Sequence, residues 1–393
     1  MDDGLPPYLG FAGLWRLEAS GLSISRLGPM LEARLARDPQ NAEAMMDIAT
    51  LSILTLIPEN RPVAFDLQAR ALAIRQVYRI APASEPPALR VLAIACLGDM
   101  TSLTHIDCLL EGSDVEVQML YVDASSTLPR ALPPHDLVFV VAGESPDTRP
   151  LFGRIAQVAA GSGRPILNLP ERILRLSRDS VSGLLGGIDG VSMPPAVRVG
   201  REDLLSSLPD GVGFPFIVRP EGSQGGRDLA RIEEVAALKA YLDATPSPDF
   251  FVSPFVDYSG DDGLFRKYRV VFVDGRPYGC HMAVSSHWMV HYVNADMDQS
   301  EGKRAEEARF LSEFDTGFAI RHKRALSSID SALGLDYYAI DCAETRDGRL
   351  LVFEADTAML VHAMDPVDLY PYKLPAMRRI FGAFRQMLEA RRG

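Results

Sequence analysis

The stretch Tyr337-Tyr338-Ala339-Ile340-Asp341-Cys342-Ala343-Glu344-Thr345-Arg346-Asp347-Gly348-Arg349-Leu350-Leu351-Val352-Phe353-Glu354-Ala355-Asp356 decides how the rest of the chain is read. Asp347-Gly348 stands between two apolar runs, a hairpin signal because tight hairpin turns need residues that tolerate positive φ. A turn centred there sets Asp341 opposite Glu354. Strand side chains alternate, so Asp356 shares the face of Glu354. Three carboxylates are expected to converge on one face. Like charges directly opposite destabilise a sheet unless something compensates. A divalent cation would compensate, and an all-oxygen donor set suits Mg2+, which takes one or two carboxylates beside phosphate oxygens. The plainer alternative is a solvated strand face that happens to carry acids.

A second hairpin is expected upstream, over residues 267–273 and 278–284 around Asp274-Gly275. It places Lys267 and Arg269 on one face and sets Tyr268 opposite His281 on the other. Two cations on alternate residues suit a phosphate or a phosphoryl group in transfer; a solvated strand face is again the alternative. Pro277 lacks an N–H and marks an open sheet edge.

Earlier still, a strand over residues 214–219 runs into Gly222-Ser223-Gln224-Gly225-Gly226. Three glycines in five residues let backbone N–H groups approach an anion closely. Arg219, at the strand end, offers paired donors to the same phosphates. The segment contains no GxxxxGK[ST], and the loop joins two strands, so neither common nucleotide motif applies. After the acidic hairpin, His362 stands as either a substrate contact or base, or a core histidine. Residues 285–294, with His287, Trp288, His291 and Tyr292, fit either a substrate wall or a surface hairpin.

The remainder supplies the frame. Residues 22–36, 41–56 and 62–80 carry helical patterns, with Asn41 as a cap. The Asp38-Pro39 junction is weakly like a tetratricopeptide repeat, but no period persists and a packed helical extension is preferred. From Arg90 apolar strands alternate with helices, which implies an open parallel α/β sheet. Gly98 and Gly143, just past two of these strands, mark ligand loops or plain turns. From Val191 the pattern becomes α+β, closing on an amphipathic helix over residues 375–391. Net charge is −12 over 393 residues, which argues against a general nucleic-acid binder. Four scattered cysteines without CxxC spacing fit buried thiols in a reducing compartment. The start, Met1-Asp2-Asp3-Gly4, lacks the basic region of a signal peptide, and the apolar stretch 49–58 is too short for a bilayer. A cytoplasmic protein with no membrane association is expected.

Taken in order, these elements resemble the ATP-grasp superfamily of carboxylate-amine/thiol ligases, over roughly residues 90–385. Asn168-Leu169-Pro170 with Ser177-Arg178-Asp179, and Val191-Ser192-Met193-Pro194-Pro195, look like the segments leading into that family's central domain. Residues 214–229 look like its phosphate strand and flap. Asp341, Glu354 and Asp356 match its Asp…Glu-x-Asn magnesium ligands, at spacings of thirteen and two residues. With the helical region over 1–87 standing before it, the resemblance implies a parallel α/β domain over 88–185 and an ATP-grasp domain over 186–393. The last divides into a flap subdomain (186–258) and a metal-binding subdomain (259–393). It implies ATP and Mg2+ as cofactors. Arg178, Arg219, Gly222, Ser223, Gly225 and Gly226 would hold phosphate; Ser253, Phe255 and Val256 would meet adenine. Arg269, with Lys267 and His362, would serve catalysis. The implied reaction joins a small-molecule or peptide carboxylate to an amine through an acyl phosphate. A non-catalytic ATP-binding scaffold and a phosphotransferase stand as rivals, and the N-terminal helices suit a protein partner or self-association. Departures are clear. Arg178 and Arg219 replace the family's lysines, Asp356 replaces asparagine, and Ala358-Met359-Leu360-Val361-His362 replaces a Pro-Gly loop.

Overall fold

The computed structural model describes residues 4–55, 57–124, 128–129 and 131–392. Residues 1–3, weighed above for targeting, and Leu56, at an expected helix end, lie outside them. The chain forms two compact units. One comprises Met1–Leu174, Leu335–Tyr337 and Thr357–Gly393; the other comprises Arg175–Gly334 and Tyr338–Asp356.

The first unit opens with helices α1 (Gly10–Ala19), α2 (Ile24–Arg37), α3 (Ala42–Leu54) and α4 (Arg61–Ile74). Asn41 caps α3 as expected, its Oδ1 accepting from the Ala44 N–H at 2.8 Å. The start of α1 is capped from a distance. Asp47 of α3 accepts from Leu9 and Gly10 N–H at 3.0–3.2 Å, and Asp107 accepts from Ala12 N–H at 2.8 Å. Negative charge there complements the positive end of the helix dipole.

Five strands follow: β1 (Val77–Ile80), β2 (Leu89–Ala95), β3 (Val115–Tyr121), β4 (Leu137–Val140) and β5 (Ile166–Leu167), in sheet order β1-β3-β2-β4-β5. All but β1 run parallel. β4 is buried throughout, as parallel strands covered on both faces are. Residues 77–80 correct the helical reading of 62–80. They pair antiparallel with β3 and bury Tyr78 completely. The expected boundary at 87/88 is therefore not a division of the fold, because β1 completes the sheet to which the later strands belong. Residues 357–393 likewise fall in this unit, where the helix Lys373–Ala390 sets Phe384 against Phe139 and Tyr337 at 5.3 and 5.2 Å. Asn168, fully buried at φ +53°, pins the region: it donates to Tyr337 C=O and accepts from Asp336 and Tyr337 N–H. Gly98 and Gly143 are close-approach turns. An added Cβ would meet Ser102 Oγ at 2.1 Å in the first case and Ala358 Cβ at 2.9 Å in the second.

The second unit holds two sheets. β6 (Val191–Ser192), β7 (Val197–Gly200), β8 (Phe216–Pro220), β9 (Ala230–Ile232) and β10 (Asp249–Pro254) come first in the chain. β7-β10-β8-β9 form an antiparallel sheet over a core of Phe216, Val218, Leu242 and Phe250. β11 (Phe265–Val273), β12 (Arg276–Ser285), β13 (Tyr337–Glu344) and β14 (Leu350–Asp356) follow. Their order is β12-β11-β13-β14-β6, with β12 on the edge that Pro277 foretold. Tyr338 stacks on Phe272 at 4.6 Å, locking β13 beside β11.

Two bulges alter the expected registers. Asp341 does face Glu354, and Ala339 faces Asp356, but Cys342 pairs with Val352, leaving Phe353 as the extra residue. In the other hairpin the ladder slips at Arg269/Val270, so His281 faces Arg269 and Tyr268 faces Met282. This corrects the expected Tyr268–His281 pairing: an extra residue at Cys280 shifts every rung beyond it.

Candidate phosphate site

β11 lies beside β13, which brings Lys267 and Arg269 to Asp341. Lys267 Nζ donates to Asp341 Oδ2 at 2.9 Å; Arg269 donates from Nε to Oδ1 at 2.8 Å and from Nη2 to Oδ2 at 3.1 Å. The Asp341 side chain is 2% exposed. Burial pushes its carboxyl up, but Arg269 and then Lys267 outweigh burial and hold it far below the ordinary carboxylate range.

Glu354 takes a different cation. Arg178, first residue of the helix Arg178–Leu185, donates Nη2 to Glu354 Oε2 at 2.5 Å. Its guanidinium also makes a long contact, 3.5 Å, with Gln224 Oε1 of the glycine-rich loop. Burial raises the Glu354 carboxyl, yet the Arg178 charge keeps it below its usual value.

Arg219, at the end of β8, is 9% exposed. It donates from Nε to Ser223 Oγ at 2.9 Å and from Nη2 to the Ser223 carbonyl. Among the described residues no carboxylate lies within ion-pairing distance of it. Burial first, and then the neighbouring charge of Arg178, push its pKa down to about 9. The loop beyond it turns through Gly222 (φ +75°), Gly225 (+63°) and Gly226 (+75°), conformations that favour glycine. A Cβ on Gly226 would stand 3.4 Å from Met289 Sδ, so the loop passes close to the 285–294 segment.

The sequence-predicted residues of this unit therefore gather in two groups. Arg178 joins Glu354 to Gln224 of the loop, and Arg219, whose charge Glu354 also feels, holds Ser223 of the same loop, while Lys267 and Arg269 clasp Asp341. Ser253 pairs with Ile217 near the end of β10, and Phe255 carries the Arg231 guanidinium 4.1 Å above its ring. Val256 packs against the cluster of Tyr258, Val290 and Leu351. His362 belongs to the other unit. There its ring lies 4.3 Å from Trp15, and its Nδ1 accepts from Met364 N–H at 3.2 Å.

One expectation changes. Among the described residues no group of three or more His, Cys, Asp or Glu side chains converges in a metal-binding arrangement. The repulsion between Asp341 and Glu354 is relieved by fixed cations, Lys267, Arg269 and Arg178, which draw each carboxylate its own way. The donors fit Mg2+ in kind, being hard carboxylate oxygens of two residues that face each other across one rung. Both Asp341 oxygens and Oε2 of Glu354 are engaged here by lysine and arginine.

Two site residues carried no distinctive signal of their own. His291 faces Lys267 and Arg269 closely enough that, after burial, their charges lower its pKa. His281 sits opposite Arg269 only because of the bulge. The density of polar and aromatic residues over 285–294 was the one cue to the former. No helix among the described residues is long and apolar enough to cross a membrane.

No family model matches the chain, and no curated protein matches it. Among solved structures it is similar to a RimK-domain ATP-grasp protein from Sphaerobacter thermophilus, at 16% identity and a TM-score of 0.47, covering 76% of this chain and 99% of that one. It is also similar to the VanG D-Ala:D-Ser ligase from Enterococcus faecalis (12% identity, TM-score 0.48, 76% of this chain and 99% of that one). The D-alanine–D-alanine ligase from Bacillus anthracis complexed with ATP is a third (15%, 0.46, 77% and 99%). At such identities and TM-scores the chemistry of the site rests on its own residues.

Proposed function

We propose that the second unit grips the phosphates of ATP and that the chain is an ATP-dependent carboxylate–amine ligase. The observation that carries this reading is Arg219. A guanidinium this buried, with no carboxylate in ion-pairing contact and the charge of Arg178 beside it, is costly, and that cost is tolerated where an anion is to be bound. Arg178 beside it and the glycine-rich loop over it supply the remaining donors such an anion needs. Arg replaces Lys at both positions, and its planar fork suits two phosphate oxygens at once.

In the reaction, a substrate carboxylate oxygen attacks the γ-phosphorus and the bond to the β-phosphate oxygen breaks, giving an acyl phosphate and ADP. An amine nitrogen then attacks the acyl carbon, phosphate leaves, and the nitrogen loses a proton. Arg269 and Lys267, side by side on β11, offset charge on the phosphoryl group in flight. Arg178 and Arg219 orient the polyphosphate, and the loop excludes water from it. Asp341 and Glu354, facing each other, would hold Mg2+ beside phosphate oxygens, which when bound supplies Lewis-acid polarisation of those oxygens.

Titrating the protein with ATP and a panel of amino acids and short peptides tests the reading by its products. ADP and phosphate, formed one for one with a new amide, are expected. AMP with pyrophosphate would exclude the acyl-phosphate route, and a phosphorylated acceptor would select phosphotransfer.

A further inference from the structure

The ion pairs around Asp341 and Glu354 bear on how a metal enters. Both oxygens of Asp341 are taken, by two cations, at 2.8–3.1 Å. Glu354 is taken by Arg178 at 2.5 Å. Three cations thus face two carboxylates. A divalent ion arriving alone meets local positive charge and must break buried, charge-assisted pairs, stranding a lysine or an arginine without a partner. A polyphosphate changes that balance, because it offers Lys267, Arg269 and Arg178 new anionic partners and releases the carboxylate oxygens.

We infer that the site works by ion-pair exchange: phosphate takes the cations, the freed Asp341 and Glu354 take the metal, and the nucleotide-free protein is closed to divalent ions. This rests on the nucleotide reading above. It assigns Lys267 a positioning role before any chemistry, as the group that keeps Asp341 from metal. The cluster is then a lock against metal in the absence of nucleotide.

Manganese, followed by electron paramagnetic resonance on the full chain, is the probe. Wild type without nucleotide is expected to leave the free-ion signal undiminished at concentrations that give a bound signal with a non-hydrolysable ATP analogue, after correction for the manganese–analogue complex in solution. Lys267→Met removes one of the two cations on Asp341, leaving Arg269 in place, and is expected to bind manganese without nucleotide, at least about tenfold more tightly than wild type, the scale of ordinary coupling between sites. Lys267→Arg is expected to restore exclusion. Nucleotide-free wild type binding manganese as well as the analogue complex does would overturn the exchange; that titration decides alone, whether or not the methionine variant folds. Loss of analogue binding with and without metal would instead remove the nucleotide reading itself, and the two failures are told apart by the analogue arm.

Discussion

Replacing Arg219 by methionine keeps the bulk of the side chain and removes a charge that the fold buries without a direct ion pair. If that charge is held for a phosphate, function and stability should move in opposite directions. The expected result for Arg219→Met is a loss of at least about tenfold in affinity for an ATP analogue, worth about 1.4 kcal/mol. The thermal midpoint should rise by about 2 °C or more, since a unit of this size gains roughly that from removing 1 kcal/mol of desolvation cost. Calorimetric binding and a melting curve on the same samples check both. A fall in both would mark Arg219 as structural. At this scale the acid pair was legible, because one Asp-Gly turn fixes which residues of two adjacent strands meet. The partners of those acids were not. Arg178 lies 176 residues from Glu354, and Lys267 lies 74 from Asp341, so only the strand order and the helix position join them.

Among the elements, α1 is held by a carboxylate that belongs to α3. Asp47 is fully buried, and burial outweighs the Leu9 and Gly10 N–H bonds, pushing its pKa up to about 7. The unfolded chain releases that proton near pH 4. A raised folded pKa means the native state binds the proton more tightly. The contribution to stability is therefore full below about pH 4 and is lost as pH rises toward 7. Denaturant titrations across this range should show stability falling, and Asp47→Asn should flatten the slope while keeping one acceptor for the helix end. An unchanged slope in the variant would reject this account. Local capping rules did not reveal the arrangement, since Leu9 at the cap position has no side-chain acceptor and the acceptors come from 38 and 95 residues away. The hairpins were legible as elements, and their bulges were not. One inserted residue leaves the apolar pattern intact while turning the rungs beyond it, which is why His281 was assigned the wrong neighbour.

For the whole molecule, the mixture of a parallel α/β sheet with antiparallel sheets could be anticipated, because continuous apolar strands and alternating ones read differently. The partition of the chain could not. A strand such as β1 joins a sheet through backbone hydrogen bonds that leave little mark on composition, so residues 77–80 looked like the tail of a helix. The partition predicts how pieces behave. Residues 175–356 hold both sheets of the second unit and should fold alone, giving a cooperative melt. Residues 1–174 lack Tyr337 and Phe384, which close on Phe139, and should remain loosely packed by the same measure. A sharp transition in the shorter piece would contradict this. There is a consequence for synthesis on the ribosome. Domains usually mature in the order they are made. Here the inserted unit can be finished while the unit begun first still waits for residues 373–390, so the nascent chain would carry a completed second unit and an unfinished, exposed sheet. The interval before that helix arrives is when this protein most needs shielding from its neighbours.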